Sequence, residues 1–237
     1  MSHKMTVEDI AWPCELPEEL KAKLLAMAVQ CQGVKALPFT VSYSTLPGVY
    51  YVLKGSCGLC FSTNDSKSVL GAVVGTKDWF GALNVGTGRK IFGVAEEIEE
   101  IHFLLFPEAK ILQLAKSEPL VYKWLFHAGI HAQSFIMQAM LSAIHQKEQK
   151  VMYVLLELHS RQNQIGGATQ SINASQTQLS SITGLSRSRL NEVLKGLEKK
   201  GLINIQRGKI FLLDIEALST LLSPMNLMMK NPTKNLD

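Results

Sequence analysis

Residues 175–203 read SQTQLSSITGLSRSRLNEVLKGLEKKGLI. The stretch predicts two short helices joined by a tight turn. Ser175 is a good N-cap, and Gln178 three residues later can close a capping box. Leu179 and Ile182 form an apolar pair at helical spacing. Gly184 supplies the left-handed conformation a sharp turn needs, and Ser186 can cap the second helix. Leu190, Val193, Leu194 and Leu197 then line one face, and Gly201 ends the helix. The opposite face and first turn carry Arg187, Ser188, Arg189, Asn191 and Lys195. A second helix presented in this way can enter the major groove of DNA.

The following residues extend the pattern. Leu202–Ile205 reads as a strand, Gln206-Arg207-Gly208-Lys209 as a hairpin tip and Ile210–Leu213 as the returning strand. The alternative is an ordinary helical hairpin beside a β-hairpin. Turn glycine, caps, apolar spacing, arginines and basic tip all argue against it. Arg187, Ser188 and Arg189 are the residues best placed to meet base edges, with Asn191 and Glu192 further along the helix, 186–199. An arginine fork reads guanine O6 and N7 as lysine cannot. Ser175, Gln176, Ser186, Lys195, Arg207 and Lys209 are the candidates for phosphate contacts.

Charge distribution points the same way. Net charge is +4. Residues 170–213 hold Arg187, Arg189, Lys195, Lys199, Lys200, Arg207 and Lys209 against Glu192 and Glu198, whereas the first half is balanced. With 237 residues the chain suits one large domain or two modest ones. No apolar run reaches the roughly eighteen residues a membrane span needs, and the N-terminus lacks a signal pattern. A cytoplasmic, non-membrane protein is expected.

Upstream, residues 16–36 look helical. From Phe39 to Phe106 short apolar runs alternate with turn residues (FTVSYS, GVYYVLKGSCGLCFST, SVLGAVVG, WFGALNV, KIFGVAE, EEIHFLLF), which suggests a β-sandwich or roll. Asn64-Asp65-Ser66 reads as a hairpin tip. A short helix follows Pro107, and a long one runs from Leu120 to about Gln146. Ile130, Ser134, Met137, Leu141 and Ile144 repeat there at 3.5-residue spacing, so a second copy of the chain is the economical partner. A helix buried within one subunit is the alternative. Another helix covers about Lys147–Ser160, a polar link follows, and the tail after Ser223 is expected to be mobile at its end. The expected boundary lies at 147, giving units 1–146 and 147–237, with the dimerisation helix at about 119–146.

Four cysteines are present: Cys14, Cys31, Cys57 and Cys60. Cys57 and Cys60 have metal-like spacing, but residues three apart on a strand face opposite ways unless a bulge intervenes. Buried structural thiols or a redox-reactive pair are both open readings; no metal is expected. There is no nucleophile elbow, P-loop or dinucleotide fingerprint, and Asp78, Glu96, Glu97, Glu99 and Glu100 read as solvated charges. Catalysis is not expected.

On the residues QTQLSSITGLSRSRLNEVLKGLEKKGLI and YYVLKGS, the chain resembles the CRP/FNR family of bacterial transcription regulators. The resemblance implies an α+β protein: an N-terminal β-roll like a cyclic-nucleotide-binding domain, a long dimerisation helix and a C-terminal winged helix-turn-helix. It implies a homodimer on double-stranded DNA with an inverted-repeat operator, and RNA polymerase as a further partner. Arg187 matches the family's base-reading arginine, while Ser188 stands for a glutamate and Glu192 for a second arginine, so the operator should differ from the usual half-site.

The effector region departs further. The stretch matching the phosphate-binding cassette is Phe80-Gly81-Ala82-Leu83-Asn84 followed by residues 86–91, with Arg89 and Lys90 outside the family's Arg-Ser context. Ala82 replaces the ribose-binding glutamate, and Ile136 and Met137 replace the purine-contacting polar pair. Each lost polar contact costs about 1–3 kcal/mol, so the roll is expected not to bind cAMP. Any remaining pocket should be apolar, with Phe80, Leu83 and Met137 adjoining. The cysteines do not match the oxygen sensors, and His102, His127, His131 and His145 make no case for haem, so no cofactor is expected and the effector is unassigned. A small-molecule or redox sensor acting through protein partners is the second reading.

Overall fold

The long apolar runs of the first half pair with each other before anything else. β3 (Gly48–Ser62) and β7 (Gly93–Pro107) lie antiparallel over most of their length and form the spine of a five-stranded sheet. β4 (Ser68–Gly75) flanks β3, and β1 (Val29–Gln32) flanks β7. β5 (Trp79–Phe80) adds to β3 near its start, while β2 (Ser44–Thr45) pairs β6 (Lys90–Ile91) separately. This computed structural model describes residues 5–37, 44–62, 68–91, 93–144, 146–163, 171–229 and 232. The expected tip at Asn64–Ser66 and most of FTVSYS lie outside them.

Several local expectations change. Residues 16–36 are not one helix: α1 (Glu18–Met27) ends at Ala28, and β1 follows. Val29 and Cys31 suit a strand, and pairing with Leu105 and Phe103 at the sheet edge outweighs the helical spacing. In WFGALNV only Trp79 and Phe80 are extended. Gly81 turns at φ 93°, where an added Cβ would sit 2.5 Å from the Gly48 carbonyl oxygen, and a single helical turn follows at 82–84. After α2 (Glu108–Ala115) come α3 (Leu120–Ala143) and α4 (Lys147–Asn163).

The helix pair is α5 (Gln176–Thr183) and α6 (Arg187–Lys199). Its wing is three-stranded. β9 (Ile203–Gln206) and β10 (Lys209–Leu212) form the hairpin, and β8 (Ser171–Ile172), in what reads as a polar link, pairs with β10. Ile172 is buried, so two residues suffice to make a strand where a core face awaits them. α7 (Ile215–Asn226) closes the chain. The tail is held as far as Met229: Leu227 is buried, and the Met229 amide donates to Gln138 Oε1 at 3.0 Å, while the last residues, 233–237, lie outside the described ones.

α4 organises the interior. Val151 through Leu158 are all buried, and one apolar core runs from the roll (Val52, Val73, Phe103) through α4 into α6 and the wing (Leu194, Ile210). A helix apolar on every side must be surrounded. The roll lies on one side of α4, the helix pair and wing on the other. A second cluster centred on Trp79, Phe106 and Trp124 ties α1 and the start of α3 to the roll.

Within this core sits a buried ionic cluster. Asp78, read from sequence as a solvated loop charge, is 1% exposed. Its Oδ2 accepts from the Gly75 amide at 2.9 Å, and its Oδ1 lies 3.0 Å from Arg161 Nη1 and 2.9 Å from His131 Nε2. Arg161, near the end of α4, is enclosed as well, and its Nε stands 3.4 Å from Glu157 Oε2. That distance permits charge attraction, but the alignment makes no hydrogen bond. Tyr153 donates to Glu157 Oε1 at 3.1 Å. Burial pushes the Glu157 carboxyl above its ordinary range, with Arg161 opposing and Asp78 reinforcing the rise.

Folding therefore raises Glu157's proton affinity. Stability from this group is present below the unfolded carboxyl's range and declines as pH rises through the native value. Glu157→Gln should leave stability near neutral pH within about 1 kcal/mol and flatten that part of the pH slope. Urea unfolding across a pH series measures both.

Candidate nucleic-acid interface

The turn between α5 and α6 forms as its residues dictate. Ser175 Oγ accepts from the Gln178 amide at 3.2 Å, and Gln178 Oε1 accepts from the Ser175 amide at 2.8 Å, a complete capping box. Gly184 sits at φ 64°, ψ 19°, and Ser186 caps α6. At the far end, the Leu202 amide donates to the Leu197 carbonyl and the Gly201 amide to Glu198, with Gly201 left-handed. Leu190, Val193, Leu194 and Leu197 are buried together.

The opposite face is open. Arg187, Ser188 and Arg189 are exposed on the first turn of α6, and Asn191 is half-buried beside them. Arg187 is oriented from the neighbouring helix: its Nη2 donates to Thr177 Oγ1 at 2.7 Å. Glu192 is exposed but engaged, since Lys147 Nζ lies 2.8 Å from Oε2 and 2.9 Å from Oε1, which holds the carboxyl below its usual range. Sequence reasoning missed Thr177 and Lys147, because neither partnership has a local signal. Ser175, Gln176, Ser186, Lys195, Arg207 and Lys209 are all exposed. Arg207 and Gly208 form the wing tip, Gly208 at φ 76°, and Glu198 Oε1 accepts from the Ile205 amide at 2.8 Å, tying the wing to α6.

The other face of α5 rests on the roll. Gln178 Nε2 donates to the Glu97 carbonyl at 2.7 Å, and Ser181 Oγ to Glu96 Oε2 at 3.1 Å. Glu97 Oε1 accepts from the Ile101 amide and Glu99 accepts from Ser56. These glutamates are therefore bonded within the sheet and along its junction with α5, which the sequence reading as solvated charges did not anticipate. Ile182 packs over Gly58, where an added Cβ would lie 2.6 Å from Ile182 Cγ1. Gly58→Val should cost about 1–3 kcal/mol through overpacking, read as a lowered thermal midpoint.

The predicted effector residues do not converge. Phe80 lies inside the roll, stacked on Tyr50 at 4.9 Å and edge-on to Phe103. Gly81 and Ala82 are buried, whereas Leu83 is 55% exposed over Gly129. Met137 is 37% exposed and two helical turns further along α3, about 12 Å away. The expected apolar lining of Phe80, Leu83 and Met137 is thus not one surface: the first faces inward and the others outward. Ile136 is half-buried, and Arg89 and Lys90 are exposed. In the loop leading to these two the Gly86 amide donates to Glu108 Oε1 at 2.8 Å, so a carboxylate of the chain itself occupies that N–H.

The cysteine pair is also explained. The register of β3 shifts between Leu59 and Cys60, a bulge that lets both Cys57 and Cys60 turn inward. Burial, with Glu97 nearby, pushes the Cys57 thiol far up, the reverse of a reactive thiolate. Cys60 Sγ contacts the Ser181 carbonyl at 3.8 Å. None of the four cysteines is disulfide-bonded. Among the described residues no group of His, Cys, Asp or Glu is placed to hold a metal, and no helix is long and apolar enough to cross a membrane. His131 is spent on Asp78, His127 stacks edge-on to Phe126, His102 lies near Glu100, and His145 lies outside the described residues.

The long helix leaves a stripe uncovered. Phe126, Ile130, Met137, Met140 and Ile144 are exposed, and with Gln133 they follow the alternating three- and four-residue steps of a coiled-coil seam. Ser134 and Leu141, expected on it, lie to one side and are half-buried.

Residues 149–221 match the model of the Crp-like helix-turn-helix domain. Solved structures with the same fold include the c-di-GMP-responsive global regulator CLP of Xanthomonas campestris (18% identity, covering 81% of this chain and 97% of that one, TM-score 0.62). FixK2 of Bradyrhizobium japonicum is similar at 17% identity, with 82% and 96% covered and a TM-score of 0.62. A CRP/FNR-family transcriptional regulator of Thermus thermophilus is similar at 21% identity, with 82% and 97% covered and a TM-score of 0.57. The curated protein sequences contain no match.

Proposed function

We propose that this chain, a Crp-like helix-turn-helix domain carried on the CRP/FNR regulator fold, is a homodimeric, sequence-specific transcription regulator reading an inverted repeat. The observation that carries the reading is the first turn of α6. Arg187, Ser188 and Arg189 stand exposed together, while the rest of the helix is buried on the opposite side. Arg187 and Arg189 read base edges, with Ser188 and Asn191 beside them. Ser175, Gln176, Ser186, Lys195, Arg207 and Lys209 meet phosphates. Glu192 lies further along the same face, with its charge balanced by Lys147. Residues 147–237 act as the reading unit.

The uncovered stripe of α3 supports dimerisation through two such helices. A two-fold dimer places its reading helices on half-sites about 34–36 Å apart. The aromatic filling by Tyr50, Phe80 and Phe103, Ala82, and the carboxylate on the Gly86 amide support a roll that does not bind cAMP.

The test is selection of bound fragments from a random DNA pool. An enriched palindrome with half-sites about ten base pairs apart is expected, together with nonspecific binding that weakens steeply between low and moderate salt. No enriched motif and a flat salt response would overturn the assignment. Titration with cAMP should give no binding in the micromolar range.

A further inference from the structure

An inverted-repeat reader must hold its two recognition helices at a fixed separation, because a shift of about 3.4 Å along the duplex puts every reading side chain on the wrong base pair. This inference therefore rests on the DNA-reading function proposed above. The separation depends on how α4, which carries the reading unit, is set against α3, which carries the dimer seam. Only residues 144–146 separate the two helices in the chain. A connection that short fixes position but not direction. α4 is 17 residues long, about 25 Å, so a swing of about ten degrees at its start displaces its far end by about 4 Å.

Arg161 sits at that far end. There its Nη1 meets Asp78 Oδ1 at 3.0 Å, and the same oxygen meets His131 Nε2, on α3, at 2.9 Å. One carboxylate oxygen thus ties the end of α4 to the long helix and to the roll. The surrounding backbone fixes that oxygen in place. Asp78 Oδ2 takes the Gly75 amide, and the Asp78 carbonyl accepts from the Val52 amide at 2.9 Å. Lys77 adopts a left-handed φ of 72° so that the turn can close, the positive-φ non-glycine among the described residues. Gly75 leaves room for the Arg161 stem, since a Cβ there would lie 2.9 Å from Arg161 Cβ.

We infer that Asp78 is a positioning residue for operator reading. With Arg161 and His131 it forms a charged mounting point at the far end of α4, added to the apolar packing of Val151–Leu158 and to the Gln178 and Ser181 contacts of α5, and so tunes the half-site spacing that the dimer accepts. None of the three lies on the α6 face or the wing proposed to meet DNA. Their effect should appear in spacing discrimination rather than in base preference or nonspecific affinity.

The test uses the full-length dimer and the palindrome that the wild type selects, remade with the central spacer changed by one or two base pairs in either direction. Failure of the DNA-reading function itself would show as a wild type that selects no palindrome. The working variant is Asp78→Asn with Arg161→Met, which removes both charges together and so avoids stranding one of them. It should bind nonspecific DNA with the wild-type salt slope. Its preference for the native spacing over altered spacings should fall about tenfold or more, with the base preference of each half-site retained. A folded double variant with the wild-type spacing profile would overturn the proposal. If that variant does not fold, His131→Gln carries the test, because it leaves the Asp78–Arg161 pair in place. A loss of spacing discrimination of about threefold is expected for it, and an unchanged profile overturns the proposal.

Discussion

Arg161→Ala is expected to lower the unfolding free energy by about 3–5 kcal/mol, because it leaves the Asp78 carboxylate enclosed and without its guanidinium partner. Arg161 and Asp78 are 5% and 1% exposed, so solvent cannot substitute for the lost guanidinium. His131, at 28%, and the Gly75 amide are the partners that remain. Glu157 loses the Arg161 charge that opposed its rise, so its carboxyl is pushed up further and takes the proton more readily, which limits its share of the cost. The loss is also one of packing, since the Arg161 stem lies against Gly75. For a chain of this size the loss should lower the thermal midpoint by roughly 6–20 °C. Replacing both charges should cost less than replacing either, so a double-mutant cycle over Asp78 and Arg161 should show strong positive coupling. A midpoint unchanged in Arg161→Ala would mean that water reaches the cluster.

Arg187→Ala should remove most specific DNA binding while leaving the fold intact. The side chain is exposed, and its hydrogen bond to Thr177 lies at the surface, so stability should change by less than about 0.5 kcal/mol. One bidentate guanine contact is worth about 1–3 kcal/mol of discrimination. A dimer forfeits two, or about 2–6 kcal/mol, which is roughly 30-fold to more than 10,000-fold in specific affinity. Nonspecific affinity should fall only slightly, since the exposed cations Lys195, Arg207 and Lys209 are untouched. Gel retardation of the selected palindrome against a scrambled fragment measures both. Equal retardation of the palindrome by wild type and variant would refute the role given to Arg187.

The two arginines were not equally legible. Arg187 lies inside a local code of cap, turn glycine and apolar spacing, all within a few residues, and each part formed as the spacing predicted. Arg161 opens RQNQIGGATQ, which reads as a polar link beyond the helix, and Asp78 follows a lysine in what reads as a surface turn. Their partnership spans 83 positions of chain, so no window of sequence contains it. The same holds for Glu96 and Gln178, polar residues whose partners arrive from the opposite half of the molecule. β1 and β8 were missed for a related reason: each is two to four residues long and exists because a sheet edge stands beside it.

Sequence alone determined the helix pair, its exposed basic face, the wing tip and the apolar runs of the roll, because short-range sterics and periodicity govern each of them. Only the tertiary structure decided that Asp78 is enclosed, that Phe80 fills the roll while Met137 faces outward, and that the helix pair leans on the sheet through Ile182 and Gln178. Those outcomes follow from burial and charge pairing between distant segments. Whether a polar group is solvated or enclosed is a property of its surroundings, and the chain has none until it folds.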